Sequence, residues 1–529
     1  MQEQIQENTI PCYNPATGEL LGHSPLTSSG ELSELFHQAR YAQQEWAAVP
    51  VKKRAEYVLK IRDYIVKHAD RIARVIHEDN GKTLVDAMAT EVLSSAIAAN
   101  YYARNASKFL RPKRLRAGNI ILSYKKSTIY REPFGIIGII SPWNYPFTIP
   151  FHEVIIALLC GNAVILKVAR ETQMVGKILK ECIDAGGLPE GVFHYVNMSG
   201  RVFSGQILDL GVDKIFFTGG QIAGEQILAK ASETLTPVSL ELGSNDAMII
   251  CKDADLERAA SGAVWAGLQN AGQSCGGVER IYVHEAVYEQ FLKQLKIYTQ
   301  HLSGGRQQGK NSDYGVMTTE EQIQTVEAHL KDALEKGATI YAESEPPDEH
   351  GLRNFIPARI LTNVTHDMLV MRRETFGPIL AVMPFQAEQE AIELANDSDL
   401  GLTSSVWSRN TSHAVSVARR IESGAVTIND HLISHGMAET PWGGFKKSGI
   451  GRTHGQFGFE EMTQPQVIVE DRLSFTKRAL WWHPYSTKLY DGLLAILHFL
   501  YAQSLRVKIS GLWGTLKIVP RIFKTWRPD

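Results

Sequence analysis

Cysteine is scarce in this chain. Five occur among 529 residues (Cys12, Cys160, Cys182, Cys251 and Cys275), scattered, odd in number, and with no CxxC pair or other metal-ligand spacing. That excludes a disulfide-stapled secreted scaffold and a cysteine-built metal site, and it suits a reducing, cytoplasmic compartment. Net charge is also scarce: 55 Lys and Arg against 57 Asp and Glu leave −2, so the body carries no bulk signal for nucleic acid. The first residues, MQEQIQEN, have neither a basic start nor an apolar run, so no secretory signal is read there. Internal repeats and low-complexity linkers are missing, so the halves of the chain are expected to pack closely.

What is present is apolar material, 44% of the residues, enough for a large core and more than one domain. Residues 11–25 read as turns and a short hairpin. From Glu31 to about Leu110 the apolar period is helical, with Ser29 and Ser33 as candidate caps. Ile120 to Arg131 alternates as a strand does. Continuous apolar runs at Phe134–Ile140 and Ala163–Lys167 predict strands buried on both faces. A helix (Gln173–Ala185) and strands at Val192–Val196 and Lys214–Thr218 follow. Further strands are expected at Ala247–Cys251 and Arg280–His284, and helices at Asp255–Ala271 and Thr318–Lys336. Strands alternating with helices predict an α/β fold with parallel sheets.

The candidate nucleophile is Cys275, in Asn270-Ala-Gly-Gln-Ser-Cys275-Gly-Gly277. Glycines let the backbone turn sharply and approach a ligand, and a reachable thiolate is a strong nucleophile. A free cysteine is more commonly a small buried hydrophobe; the polar, glycine-rich flanks point the other way. Thr218-Gly219-Gly220 ends a strand and opens a helix, where phosphates dock on free N–H groups, but it lacks the GxGxxG pattern.

Six motifs stand in order: Pro142-Trp-Asn144-Tyr-Pro, Leu166-Lys167, Phe217-Thr-Gly219, Leu240-Glu241-Leu-Gly243, Gly272-Gln-Ser-Cys275 and Glu374-Thr-Phe376-Gly-Pro. Together they resemble the aldehyde dehydrogenase superfamily over roughly residues 10 to 471, and Glu241 and Cys275 lie 34 positions apart, as that family's base and nucleophile do. The resemblance implies two Rossmann-like parallel-sheet domains, one binding cofactor (1–242, with 446–460 returning to it) and one catalytic (243–445). It also implies a small β oligomerisation element (115–133 and 461–471) and a homodimer or homotetramer.

By the same resemblance, Cys275 attacks an aldehyde carbonyl, Asn144 and the Cys275 N–H hold the oxyanion, and Glu241 activates the water that releases a carboxylic acid. Trp143, Lys167, Gly219, Gly224, Glu374 and Phe376 match the site of NAD or NADP. Arg170 stands where many NAD-preferring members have a ribose-binding glutamate, which keeps NADP open as the cofactor. Tyr145, His152 and Trp442 fall where the family lines its substrate tunnel, a set that favours an apolar, medium- or long-chain aldehyde. His152 reads equally as a satisfied histidine on a helix face. A semialdehyde or CoA-acylating member, and a non-catalytic binding protein on the same fold, are the alternatives.

The extension 472–529 has its own composition. From Lys477 it holds nine Lys and Arg against Asp491 and Asp529, with four tryptophans (Trp481, Trp482, Trp513 and Trp526). Leu489 to Leu505 reads as one helix with Leu489, Leu493, Ile496, Leu497, Leu500 and Ser504 on a face. At 17 residues it is shorter than the ~20 a spanning helix needs. The extension (477–529) is expected either to touch a membrane surface peripherally or to cover a partner subunit or the tunnel mouth.

Overall fold

The computed structural model describes residues 8–305, 312–347 and 351–524. The N-terminal stretch read for a signal lies outside the described residues up to position 7, as do Trp526, Arg527 and Asp529 of the extension. The chain divides into two compact units, residues 1–111 with 131–464 and residues 112–130 with 465–529.

Both large sheets belong to the first unit. One runs in the order Gly449–Ile450, Val238–Glu241, Lys214–Thr218, Ile136–Ile140, Ala163–Lys167, Phe193–Val196, and only its first pairing is antiparallel. Ile136–Ile140, Ala163–Lys167 and Lys214–Thr218 are buried along their whole length. That is why the sequence shows unbroken apolar runs there: helices cover both faces of a parallel sheet, so no position is free to be polar. The second sheet has seven strands in the order Thr339–Glu343, Arg359–Thr362, Ile379–Phe385, Val278–His284, Asp246–Ile250, Thr403–Trp407, Ala425–Ile428, parallel except for its first pair.

Several boundaries differ from the sequence reading. The first long helix, Ser29–Ala48, is capped by Ser28 rather than by Ser29 or Ser33: Ser28 accepts from the Glu31 N–H, and the Glu31 carboxylate accepts from the Ser28 N–H at 2.7 Å. The strand expected from Ile120 starts at Lys125, because Asn119 and Ser123 close turns over 119–123 with their side chains. The helix expected to reach Ala271 stops at Leu268, where the chain enters a left-handed turn.

The second unit contains a three-stranded sheet, ordered Thr463–Asp471, Lys125–Pro133, Lys113–Arg114. After it come two helices, Thr487–Tyr501 and Leu505–Ile518, packed on each other. The single helix expected through Leu505 therefore breaks at Ala502, and Ser504 caps the second helix instead of sharing a face of the first. No described helix is long and apolar enough to cross a membrane.

Candidate active site

The loop that carries Cys275 is built on an unusual backbone. Asn270 and Ala271 both have φ of 54°, and Gly272 has 74°. Such left-handed residues cost free energy unless contacts hold them. Here the Asn270 side chain donates to the carbonyls of Asn144 (3.0 Å) and Gln273 (3.1 Å), and Gln273 accepts from the Thr318 N–H at 2.9 Å. A Cβ on Gly272 would come within 2.2 Å of the Gly377 carbonyl oxygen, so this loop and the Glu374–Pro378 turn meet backbone to backbone. Cys275 is half-buried, whereas the other four cysteines are buried. Burial, with the charges of Glu374, Glu241 and Asp246 adding to it, pushes its thiol well above the ordinary range.

Asn144 follows the strand Ile136–Ile140 and is buried. One N–H of its amide donates to the Gln273 carbonyl at 3.2 Å, leaving the second for a ligand. Its loop is tied down from a distance. Lys82, fully buried, pairs with Glu91 at 2.5 Å and donates to the Asn144 carbonyl at 2.8 Å, while Glu91 accepts from the N–H groups of Phe147 and Thr148. Asn80 donates to the Trp143 carbonyl and accepts from the Thr318 hydroxyl. Glu91 sits in a π-helical turn, Ala87–Leu93, that aims it inward.

Glu241 ends its strand beside Gly219, whose N–H donates to the Glu241 carbonyl at 3.0 Å. Its Oε2 is buried without a protein partner, and burial, reinforced by Glu153, raises its carboxyl well above the usual range. Pro142, Trp143, Asn144, Gly219, Glu241, Cys275, Glu374 and Phe376 all line one cavity of about 310 Å³. A second, mostly apolar chamber of about 200 Å³, walled by Tyr145, Trp265, Leu432 and Ile433, meets the first at Cys275, Ile149, His435 and Trp442. The thiol thus stands where the cavity lined by Asn144, Glu241 and Glu374 joins a more apolar chamber.

The profile of the Aldehyde dehydrogenase family matches residues 2–468. The chain belongs to that family. A 4,4'-diapolycopene aldehyde oxidase of Methylomonas sp is 36% identical over 495 residues, 94% of this chain and 92% of that one. A putative NADP(+) succinate-semialdehyde dehydrogenase of Mycolicibacterium smegmatis is 34% identical over 464 residues, 88% of this chain and 89% of its own. Among solved structures, an aldehyde dehydrogenase from Brucella melitensis biovar abortus 2308 superposes with a TM-score of 0.83 at 33% identity, over 88% of this chain and 94% of that one. An NAD+ complex of an aldehyde dehydrogenase from Bacillus cereus gives 0.83 at 30%, over 88% and 94%. The protein is an NAD(P)-dependent aldehyde dehydrogenase with the family's α/β, parallel-sheet fold.

The first cavity fits a dinucleotide. It opens at the carboxyl ends of parallel strands, as nucleotide sites in such sheets do. Gly220 caps the helix Gln221–Ser232 without a side-chain bond, leaving the first N–H groups of that helix for phosphate, and a Cβ there would meet nothing within 4 Å. Glu374 accepts from the Ser244 N–H at 2.9 Å, and Phe376, with φ of 50°, packs edge-on to Trp143. Their turn is fixed by Glu279, which accepts from the N–H groups of Thr375 and Phe376.

Lys167 and Arg170 lie outside the walls of that cavity. Lys167 is buried at its strand end, its pKa lowered by burial against the opposing charge of Glu171, and Arg170 is exposed on the turn that follows. Two placements correct the sequence reading. Gly224 is inside the helix Gln221–Ser232, where a Cβ would strike Leu242 at 2.7 Å; it lets the helix approach the sheet and does not line the cavity. His152 does not line the tunnel. It is 1% exposed and sits one layer behind, sharing a 2.8 Å hydrogen bond with His454 and stacking on His435, and it is these two that reach the cavity. His435 and His454 had no sequence motif to mark them.

Glu153 lines the same cavity. Burial raises its carboxyl to about 8, and its Oε2 has no partner. An acid whose folded pKa is raised weakens the fold as pH climbs: below about 4.5 both states are protonated, and above it the unfolded chain gains by ionising until the folded group does so near 8. Wild type should lose stability relative to Glu153→Gln at up to about 1.4 kcal/mol per pH unit across that window. Thermal unfolding of the two proteins from pH 5 to pH 9 measures the divergence; parallel curves would refute it.

Proposed function

We propose that this enzyme oxidises an apolar, medium- or long-chain aldehyde to its carboxylic acid through a thiohemiacetal and a thioester on Cys275. The observation that carries the reading is the apolar chamber on the far side of the thiol, whose walls include no Lys or Arg. A semialdehyde would bring a carboxylate into that chamber, and the buried carboxylate would be left unpaired. His435 offers it no charge, because burial lowers its pKa to about 4. Among the relatives, the name 4,4'-diapolycopene aldehyde oxidase agrees with this choice, and the succinate-semialdehyde names mark the competing one.

In this reading, residues 1–242 with 446–460 bind cofactor and 243–445 present the nucleophile. Cys275 Sγ bonds to the carbonyl carbon as its proton leaves toward Glu241. The free N–H of Asn144 and the Cys275 N–H receive the oxyanion. NAD(P)+, when bound, accepts the hydride that leaves that carbon. After that proton has passed to solvent, the ionised Glu241 takes a proton from water and the water oxygen attacks the thioester. The C–S bond breaks to free the acid and a Cys275 thiolate that takes the proton back from Glu241. A buried carboxylate at that position is what argues against transfer to CoA. The exposed Val467, Ile468 and Val469 on the edge strand Thr463–Asp471 fit a homodimer or homotetramer that pairs this edge.

A panel read by NAD(P)H absorbance tests the substrate class. Decanal should exceed succinic semialdehyde in kcat/KM by about two orders of magnitude, roughly the discrimination expected for an unpaired buried carboxylate. The reverse order would overturn the apolar assignment.

Arg170 carries the cofactor preference in the same reading. Exposed and at the end of the ribose-side strand, it is free to meet a 2′-phosphate, a charge-assisted contact of about 1.5–3 kcal/mol. Arg170→Glu should raise KM for NADP by roughly tenfold to a hundredfold and leave that for NAD nearly unchanged. Steady-state kinetics with both cofactors decide it, and an unaltered NADP to NAD ratio would mean that the side chain faces solvent.

A further inference from the structure

The helical pair Thr487–Tyr501 and Leu505–Ile518 is built inside out. Its interior mixes small residues, Gly492, Gly511 and Thr515, with Leu489, Ile496 and Ile518, and the small ones sit at the closest approach. A Cβ on Gly492 would fall 2.3 Å from Ile518, and one on Gly514 would fall 2.4 Å from the Ala495 Cβ, so the helices touch through glycine and alanine. Most of the large apolar side chains face outward: Leu493, Leu497 (55% exposed), Tyr501 (68%), Leu512, Trp513 (63%) and Leu516. Water drives the opposite arrangement, large residues in and small ones out. Small residues between helices with large apolar ones outside is how helices pack in lipid.

Charge says which surface would cover it. Among described residues 473–524 there are eight Lys and Arg and one acid, Asp491; Arg478 and Arg521 are buried, so six cations lie outside the interior. A second copy would set this cationic face against itself, with Asp491 as the lone counter-charge, whereas anionic headgroups neutralise it. Trp482, Tyr485, Tyr490 and Trp513 are all more than half exposed, the residue types that favour the headgroup layer. The helices have 15 and 14 residues, about 22 Å of rise each, too short to cross a ~30 Å hydrocarbon core. The hairpin is held as one piece: Arg521 is buried and donates to the carbonyls of Leu480, Trp482 and Pro484, joining its last turn to the segment that leads into it.

We propose that residues 473–524 form a monotopic membrane anchor, an inside-out helical hairpin that seats in the headgroup–acyl boundary of one leaflet of an anionic lipid membrane. The proposal is independent of the catalytic reading, since no residue of either cavity lies in this segment.

Flotation of the full-length protein tests it. With vesicles of equimolar phosphatidylcholine and phosphatidylglycerol the protein should float, and with phosphatidylcholine alone the floating fraction should fall by about tenfold or more. The double variant Leu497→Glu, Trp513→Glu changes only exposed positions, so it should keep wild-type oxidation of a water-soluble aldehyde and lose flotation by about tenfold or more. Lys488→Gln with Lys517→Gln should narrow the preference for the anionic vesicles. The proposal falls if wild type stays in the dense fraction with both lipids, or if the glutamate variant floats as well as wild type. It falls equally if that variant lowers the mass measured by light scattering without vesicles, which would make the face a contact between copies.

Discussion

Cys275→Ala is expected to lower kcat for aldehyde oxidation by roughly 10⁴-fold or more while NAD(P) still binds. Among the described residues no other cysteine lines either cavity. The other four cysteines are buried, with thiols that burial pushes upward, Cys12 to about 11 and Cys182 and Cys251 to about 12. Ser274, the adjacent hydroxyl, is buried, with its Oγ lacking a hydrogen-bond partner that could act as base. The substitution removes one atom from a half-buried position, so the fold should persist and melting should shift little. Intact-protein mass spectrometry after a pulse of aldehyde and NAD(P)+ checks the chemistry directly. Wild type should gain an acyl mass that the variant never shows, and oxidation by the variant at the wild-type rate would end the assignment.

Glu241→Gln separates the two half-reactions. Without a base for water, thioester hydrolysis should slow by about 10²–10⁴-fold, so the acyl-enzyme that is transient in wild type accumulates. The pH dependence gives an independent reading. The proposed base role needs Glu241 ionised, and burial with Glu153 beside it holds its carboxyl well above the usual range. Turnover of wild type should therefore climb as pH rises from acid, until that carboxyl ionises, and the limb should be missing in the glutamine variant. A variant that keeps the limb, or that shows no acyl mass, assigns the base elsewhere.

The residues that line the cavity around Cys275 were largely legible in the sequence, and those that hold them in place were not. Cys275, Glu241, Asn144 and Glu374 each sit at a strand end or turn with short-range signals: glycines, a break in an apolar run, a fixed order along the chain. The fold was legible for the same reason, since a parallel sheet covered on both faces writes its strands as unbroken apolar runs such as Ala163–Lys167. Lys82 and Glu91 carry no such mark. They are nine residues apart and meet only because a π-helical turn brings Glu91 round to the Asn144 loop. His152 stayed open between the tunnel wall and a satisfied place on a helix face, because helical position cannot say how many layers separate a side chain from a cavity; the structure shows the second. In the extension, composition announced an apolar helix, but only the packed structure shows that the break at Ala502 turns small residues in and large ones out.

The ties that hold Asn144 also set an order of events. Lys82 reaches it across 62 positions, Asn270 across 126, and the Asn80–Thr318 bond that steadies the neighbouring Trp143 spans 238. Each bond requires a large loop to close first, which is slow beside the formation of local helices. A growing chain on the ribosome would complete the whole nucleotide-side sheet except its last strand, Gly449–Ile450, and then Cys275, long before Trp442 is available to close the wall beside the thiol. During that interval the wall that Trp442 completes beside the thiol is unfinished.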